Sequence, residues 1–191
     1  MAGRQAKTIT PGQLRAALKR ARAGRYPLRD QVMLLLSHKA GLRAAEIAGL
    51  TWSMVLTSDG QLSDRIALAD SIAKKGSGRS IPVNPELHSA LLRLRQEDGS
   101  AGHVIKSERA ERLRATSVVN WFGEFYASLG WNGATSHSGR RSFITFAARK
   151  IASTGGSIRD VQILAGHRSL LHTQAYIDGD SKAQRRLVSL L

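Results

Sequence analysis

The chain has 191 residues, no cysteine and a formal net charge of +15. Absent thiols exclude a disulfide scaffold and any cysteine-ligated metal, and the longest plainly apolar run, VMLLL at residues 32–36, is far too short to cross a bilayer. A positive excess of this size favours a polyanionic partner, and the dominance of arginine over lysine points to phosphate, whose oxygens the guanidinium fork matches two at a time.

Thr10-Pro11-Gly12-Gln13 combines an N-cap, a proline at the first helical position and a capping-box partner. The helix that follows, residues 12–24, is expected to stop at Gly24. A second helix covers 28–41 and ends near Gly41, and a short third one covers 43–50. The texture then changes. Residues 52–83 alternate short aliphatic runs with Asp59-Gly60 and Gly76-Ser77-Gly78, the pattern of an antiparallel sheet of three strands. Helices resume at 85–99 behind Asn84, at 115–130 up to Gly130, at 136–152, and at 157–166 behind the Ser157/Asp160 capping box. A last helix is expected over 181–191. The predicted fold is mainly α with a small three-stranded antiparallel sheet (α+β). With no internal repeat, low-complexity tract or linker, residues 1–191 read as one domain. No apolar stretch follows the basic start MAGRQAK, so a signal peptide is not expected, and the chain reads as cytoplasmic.

Four stretches carry residues fit for chemistry. In HSGRRSF, His137 and Arg140 are three apart on a helix and share a face, which suits a phosphate oxygen. A surface pair is the blander alternative. In GLRAAEIAGLTW, Arg43 and Glu46 have the same spacing; alone, they read as an exposed ion pair of small value. In AKKGSGRSIPV, only one of Lys74 and Lys75 can aim at a given site, because successive strand side chains point to opposite faces. A hairpin-tip lysine is ordinarily just solvated. In LAGHRSLLHTQAYID, His167 follows a helix-ending glycine and Tyr176 lies nine residues on; by itself such a tyrosine is a half-buried packing residue.

Taken in order, these pieces resemble the tyrosine recombinase (phage integrase) family from about Thr8 to the C-terminus. GLRAAEIAGLTW is similar to that family's first arginine box. Residues 137–176 are similar to its second box and nucleophile segment, without a gap. The resemblance implies the catalytic-domain fold of these enzymes and a set of roles. Tyr176 is the nucleophile. Arg43 and Arg140 grip the non-bridging oxygens of the scissile phosphate. His137 manages the tyrosine proton, His167 donates a hydrogen bond to the phosphate, and Glu46 orients its neighbours. The family's lysine lies five residues before the arginine of R-x-I-P-V, here Arg79, which makes Lys74 the general acid, with Lys75 in reserve. Two positions depart from the pattern: Gly139 stands where leucine is usual, and Ala165 replaces the second leucine of L-L-G-H.

Most relatives also carry an N-terminal core-binding domain. The short lead before the first helix is read as a catalytic domain alone, either a single-domain recombinase like those that invert fimbrial switches or a fragment. The implied partner is double-stranded DNA, on which synapsed sites would gather a homo-tetramer from monomers, with accessory DNA-bending proteins, at the nucleoid and with no membrane. The implied reaction is site-specific recombination through a covalent 3′-phosphotyrosine, serving integration, excision or inversion. Its chemistry needs no cofactor and no metal, and the chain has neither a G-x-x-x-x-G-K-[ST] loop nor the clustered carboxylates of a two-metal nuclease. The alternatives are a type IB topoisomerase-like strand transferase and a non-catalytic DNA-binding regulator of the same fold. The apolar tail residues Leu187, Val188, Leu190 and Leu191 are expected either to cover the chain's own core or to dock on a neighbouring protomer.

Overall fold

Thr10 begins the first helix through a reciprocal cap: its hydroxyl accepts from the Gln13 N–H at 3.2 Å, and the Gln13 carbonyl oxygen accepts from the Thr10 N–H at 2.9 Å. In the structure, a computed structural model that describes residues 6–73, 76–176, 185, 188 and 189, this helix is α1 (Pro11–Arg22). Its buried residues Leu14, Ala17, Leu18 and Ala21 follow the spacing of one helical face. The next helix, α2 (Pro27–Lys39), is buried continuously from Asp30 to His38. A helix apolar or enclosed on all sides belongs at a centre, and α2 is packed by α1, by α4 (Pro85–Asp98) and by α6 (Ser138–Lys150). Gly41 ends it with φ +66°, and a Cβ there would run into the Phe143 ring, so only glycine fits. The short α3 (Ala44–Gly49) follows and packs against α5 (Ala115–Ser128).

Two strands, β1 (Arg65–Leu68) and β2 (Arg79–Pro82), pair antiparallel with Ile66 opposite Ile81. The expected third strand is not formed among the described residues. Between Thr51 and Ser63 there is a 3₁₀ turn, Trp52–Met54, and a tight reversal that closes with a single bridge, Leu56 to Leu62. The Thr57 hydroxyl takes part in that reversal, accepting from the Gln61 N–H at 3.1 Å and donating to the Gln61 carbonyl at 3.1 Å. Local side-chain bonding thus competes with a longer ladder.

Helix α6 crosses α2 at Gly139. A Cβ at this position would collide with the Ser37 hydroxyl and lie 2.9 Å from His38 Cδ2. The close approach explains why this chain has glycine where the resemblance calls for leucine. A 3₁₀ turn, Ile151–Thr154, ends the segment. Two short helices complete the described fold: α7 (Ile158–Ala165), capped by Ser157 and Asp160, and α8 (Leu170–Gln174). Ile144, Val161 and Ala165 form a second small core beneath them, with Tyr176 packed at its edge. Lys74, Lys75, Leu187, Leu190, Leu191 and most of the expected last helix lie outside the described residues; Val188 is exposed. Among the described residues no helix is long and apolar enough to cross a membrane.

The contact between α2 and α5 has a pH consequence. His38 is buried with Nε2 3.1 Å from the Tyr126 hydroxyl. Burial, with the Lys39 charge adding to it, pushes its pKa down to about 3, against about 6.5 in an unfolded chain. Between those values the unfolded chain binds a proton that the folded chain refuses, so stability falls as pH drops through that window. Urea unfolding should show a loss of about 3 kcal/mol between roughly pH 7 and pH 4. A His38→Gln protein should show a much shallower loss.

Candidate active site

Arg43 is the N-cap residue of α3, and Glu46 lies in that helix's first turn. The Arg43 backbone N–H donates to Glu46 Oε2 at 2.9 Å, and its Nη1 donates to Oε1 at 2.7 Å. The pair is far from an exposed ion pair: Glu46 is fully buried. A lone buried carboxylate would neutralise itself. Here Arg79, the first residue of β2, forks across both oxygens, Nη1 to Oε1 at 3.0 Å and Nη2 to Oε2 at 3.1 Å. Burial by itself would raise the Glu46 pKa; the Arg79 hydrogen bonds and charge, with those of Arg43, outweigh it and hold the carboxyl below its usual range.

Arg140 projects from the first turn of α6 and is 4% exposed. Its Nη1 donates to the Gly41 carbonyl and its Nη2 to the Ala165 carbonyl, both at 2.6 Å. Each acceptor lies at a helix end, where carbonyls lack intrahelical donors. One guanidinium therefore ties the end of α2 to the end of α7. Burial, then the Arg43 charge, lowers its pKa to about 9, which leaves it cationic at neutral pH.

Gly166 ends α7 in the left-handed region, φ 62° and ψ 42°, and turns His167 back over the site. The His167 N–H donates to the Gln162 carbonyl at 3.1 Å, and the Gln162 amide returns a bond to the His167 carbonyl at 2.8 Å. His167 Nδ1 lies 3.0 Å from the hydroxyl of Thr173, which is fully buried. The tautomer that accepts from this hydroxyl carries its proton on Nε2, ready to donate. Burial, then the charges of Arg140 and Arg43 and lesser ones from His172 and Arg79, press the His167 pKa down to about 4. It is neutral at physiological pH, not a cation.

Tyr176 follows α8, and its ring stacks on His167 with centroids 5.6 Å apart. The Arg141 guanidinium carbon is 5.7 Å from the same ring centroid. The Tyr176 carbonyl accepts from the Thr145 hydroxyl at 3.3 Å, which fixes the backbone at that point to α6. A cavity of about 980 Å³ opens over these groups, lined by His137, Arg140, Arg141, His167, His172 and Tyr176, with Lys7 on its rim. His137, exposed at the N-terminus of α6, faces into it. Among the described residues no group of three or more His, Asp and Glu is placed to hold a metal ion.

Four of the seven expected site residues, His137, Arg140, His167 and Tyr176, line one cavity, and the charges of Arg43 and Glu46 are felt at Arg140 although neither residue lines it. Lys74, with its reserve Lys75, lies outside the described residues. Arg79 was missed as a site residue, although its signal was present. It is two residues from Ile81 on a strand, so it shares the inward face of a core position, and an inward arginine needs a buried acid.

Comparisons with known proteins bear on the family and the fold. The phage integrase family model matches residues 7–183. Tyrosine recombinase XerC of Brucella melitensis is 33% identical over 160 residues, covering 81% of this chain and 47% of the relative. XerC of Rhodospirillum centenum is 30% identical over 160 residues, 81% of this chain and 44% of the relative. The chain spans about half the length of these curated relatives. Among solved structures, the Tn1549 transposon integrase in complex with a circular intermediate DNA superposes with a TM-score of 0.77 at 18% identity, over 100% of this chain and 67% of that one. The XerA recombinase does so with a TM-score of 0.75 at 19% identity, over 100% of this chain and 65% of that one. Its fold is the tyrosine recombinase catalytic-domain fold, and the chain belongs to the phage integrase family.

Proposed function

We propose that this chain is a site-specific DNA recombinase that cleaves and rejoins strands through a 3′-phosphotyrosine on Tyr176. The observation that carries the reading is the convergence of His137, Arg140, His167 and Tyr176 on one cavity backed by the Arg43–Glu46–Arg79 cluster. Double-stranded DNA enters with the scissile phosphate between Arg43, Arg140 and His167. The Tyr176 oxygen attacks phosphorus and gives its proton to His137. A P–O bond to tyrosine forms and the bond to the 5′-oxygen breaks. The leaving oxygen takes a proton from Lys74, or from Lys75 in its place. Charge that builds on the non-bridging oxygens meets donors already in position, which is the largest source of acceleration such a site can offer. In the reverse step a 5′-hydroxyl attacks the phosphotyrosine, so resealing consumes no nucleotide. Exchange between two sites requires several protomers, and a tetramer on synapsed DNA assembled from monomers meets that need. Binding through a surface this basic should weaken steeply with salt.

The test uses a binding site selected from random duplex DNA, then nicked beside the cleavage point so that cleavage is trapped. A protein–DNA adduct that survives denaturing electrophoresis should form in excess EDTA. Cleavage that requires magnesium and leaves no adduct would assign a nuclease instead. Specific binding without cleavage would leave only a regulator.

A further inference from the structure

We propose that Arg79 is a positioning residue for the phosphate grip, acting through Glu46 on Arg43 and through the end of α7 on His167. The inference rests on the function proposed above. Arg79 and Glu46 have side chains only 4% and 1% exposed, whereas Arg43 is 21% exposed and reaches toward solvent. Each Glu46 oxygen accepts one bond from each arginine. Because Arg79 supplies a full charge to the buried carboxylate, the Arg43 charge remains available to a ligand. Without Arg79, Glu46 would have Arg43 as its only close counter-ion, and the carboxylate would hold that guanidinium back from a phosphate.

A second arm of Arg79 reaches the other half of the site. Its Nε donates to the Leu164 carbonyl at 2.8 Å, beside the bond from Arg140 to the Ala165 carbonyl. Two arginines thereby satisfy consecutive carbonyls at the α7 terminus, where the helix dipole also favours positive charge. Gly166 makes this possible. A Cβ there would sit 2.9 Å from Arg79 Nη1 and 3.0 Å from its Cδ, so a side chain would displace the guanidinium. His167 follows directly. One side chain therefore joins β2, the first turn of α3 beside Arg43, and the turn that aims His167.

The discriminating variant is Arg79→Lys, which keeps the charge but cannot fork across Glu46 while reaching Leu164. Single-turnover cleavage of the nicked substrate at saturating DNA, below the variant's unfolding temperature, should fall about 100-fold. The dissociation constant for DNA should stay close to wild type. A methylphosphonate at the scissile position lacks one charged oxygen and asks less of the arginine pair. On that substrate the deficit of Arg79→Lys relative to wild type should shrink by about tenfold, as it should for Arg43→Ala. A deficit of equal size on both substrates, or wild-type cleavage by Arg79→Lys, would overturn the proposal. Failure of the wild-type protein to form any adduct would instead remove the functional reading on which it stands.

Discussion

A Tyr176→Phe protein is expected to bind its DNA site with unchanged affinity, unfold at the wild-type temperature and form no covalent adduct. The substitution removes one oxygen and leaves the packing in place. The ring stacks on His167, lies beside the Arg141 guanidinium and borders the small core of Ile144, Val161 and Ala165. All of these contacts are made by the ring, and the main-chain hydrogen bonds, from Thr145 to the Tyr176 carbonyl and from the Tyr176 N–H to the Thr173 carbonyl, are untouched. Without the oxygen there is no atom to bond phosphorus, so the loss should be complete. Denaturing gels for the adduct, with a binding titration and a thermal melt on the same preparation, check all three parts. A Tyr176→Phe protein that still forms the adduct contradicts the assignment.

Arg140→Ala should damage both chemistry and fold, and the two losses can be separated. Removing one preorganised donor from a developing oxyanion costs about 10²–10³ in rate, and single-turnover cleavage should fall by at least that. Stability should fall as well, by a few kcal/mol, because the carbonyls of Gly41 and Ala165 each lose a charged donor in a buried site. Urea unfolding measures this second loss directly. Arg140→Lys should restore little of either, since an ammonium group cannot reach two carbonyls on different helices and still face a phosphate. An Arg140→Ala protein with wild-type stability would mean that the guanidinium does not hold the ends of α2 and α7 together.

The helical part of this fold was legible because its punctuation is local. Thr10 with Gln13, Ser157 with Asp160, Asn84, and the terminal glycines Gly41 and Gly166 act within a few residues of themselves. The sheet was over-read at residues 51–63 for a related reason: Val55 and Leu56 have strand character, but Thr57 bonds to Gln61 and closes the turn before a ladder can grow. What spacing could not convey was burial. Arg43 and Glu46 have the spacing of an ordinary surface pair, and only the arrival of Arg79 from a strand 33 residues away makes Glu46 a buried counter-ion. The lowered pKa of His167 is a tertiary fact too, since it depends first on burial and then on the charges of Arg140 and Arg43, which come from other elements. The same holds for Gly139, whose departure from the family pattern makes sense only with Ser37 and His38 against it.

The most direct test of the covalent mechanism is to find which tyrosine carries the DNA. The chain offers three tyrosines. Tyr126 is fully buried with its hydroxyl on His38, and the Tyr26 hydroxyl is buried beside the Arg25–Glu108 pair, so neither reaches the cavity that holds Arg140 and His167. Trypsin digestion of the trapped adduct, followed by mass spectrometry of the nucleotide-bearing peptide, should place the DNA on residues 169–182, SLLHTQAYIDGDSK, with fragmentation marking Tyr176. DNA found on a peptide that contains Tyr26 or Tyr126 would contradict the mechanism.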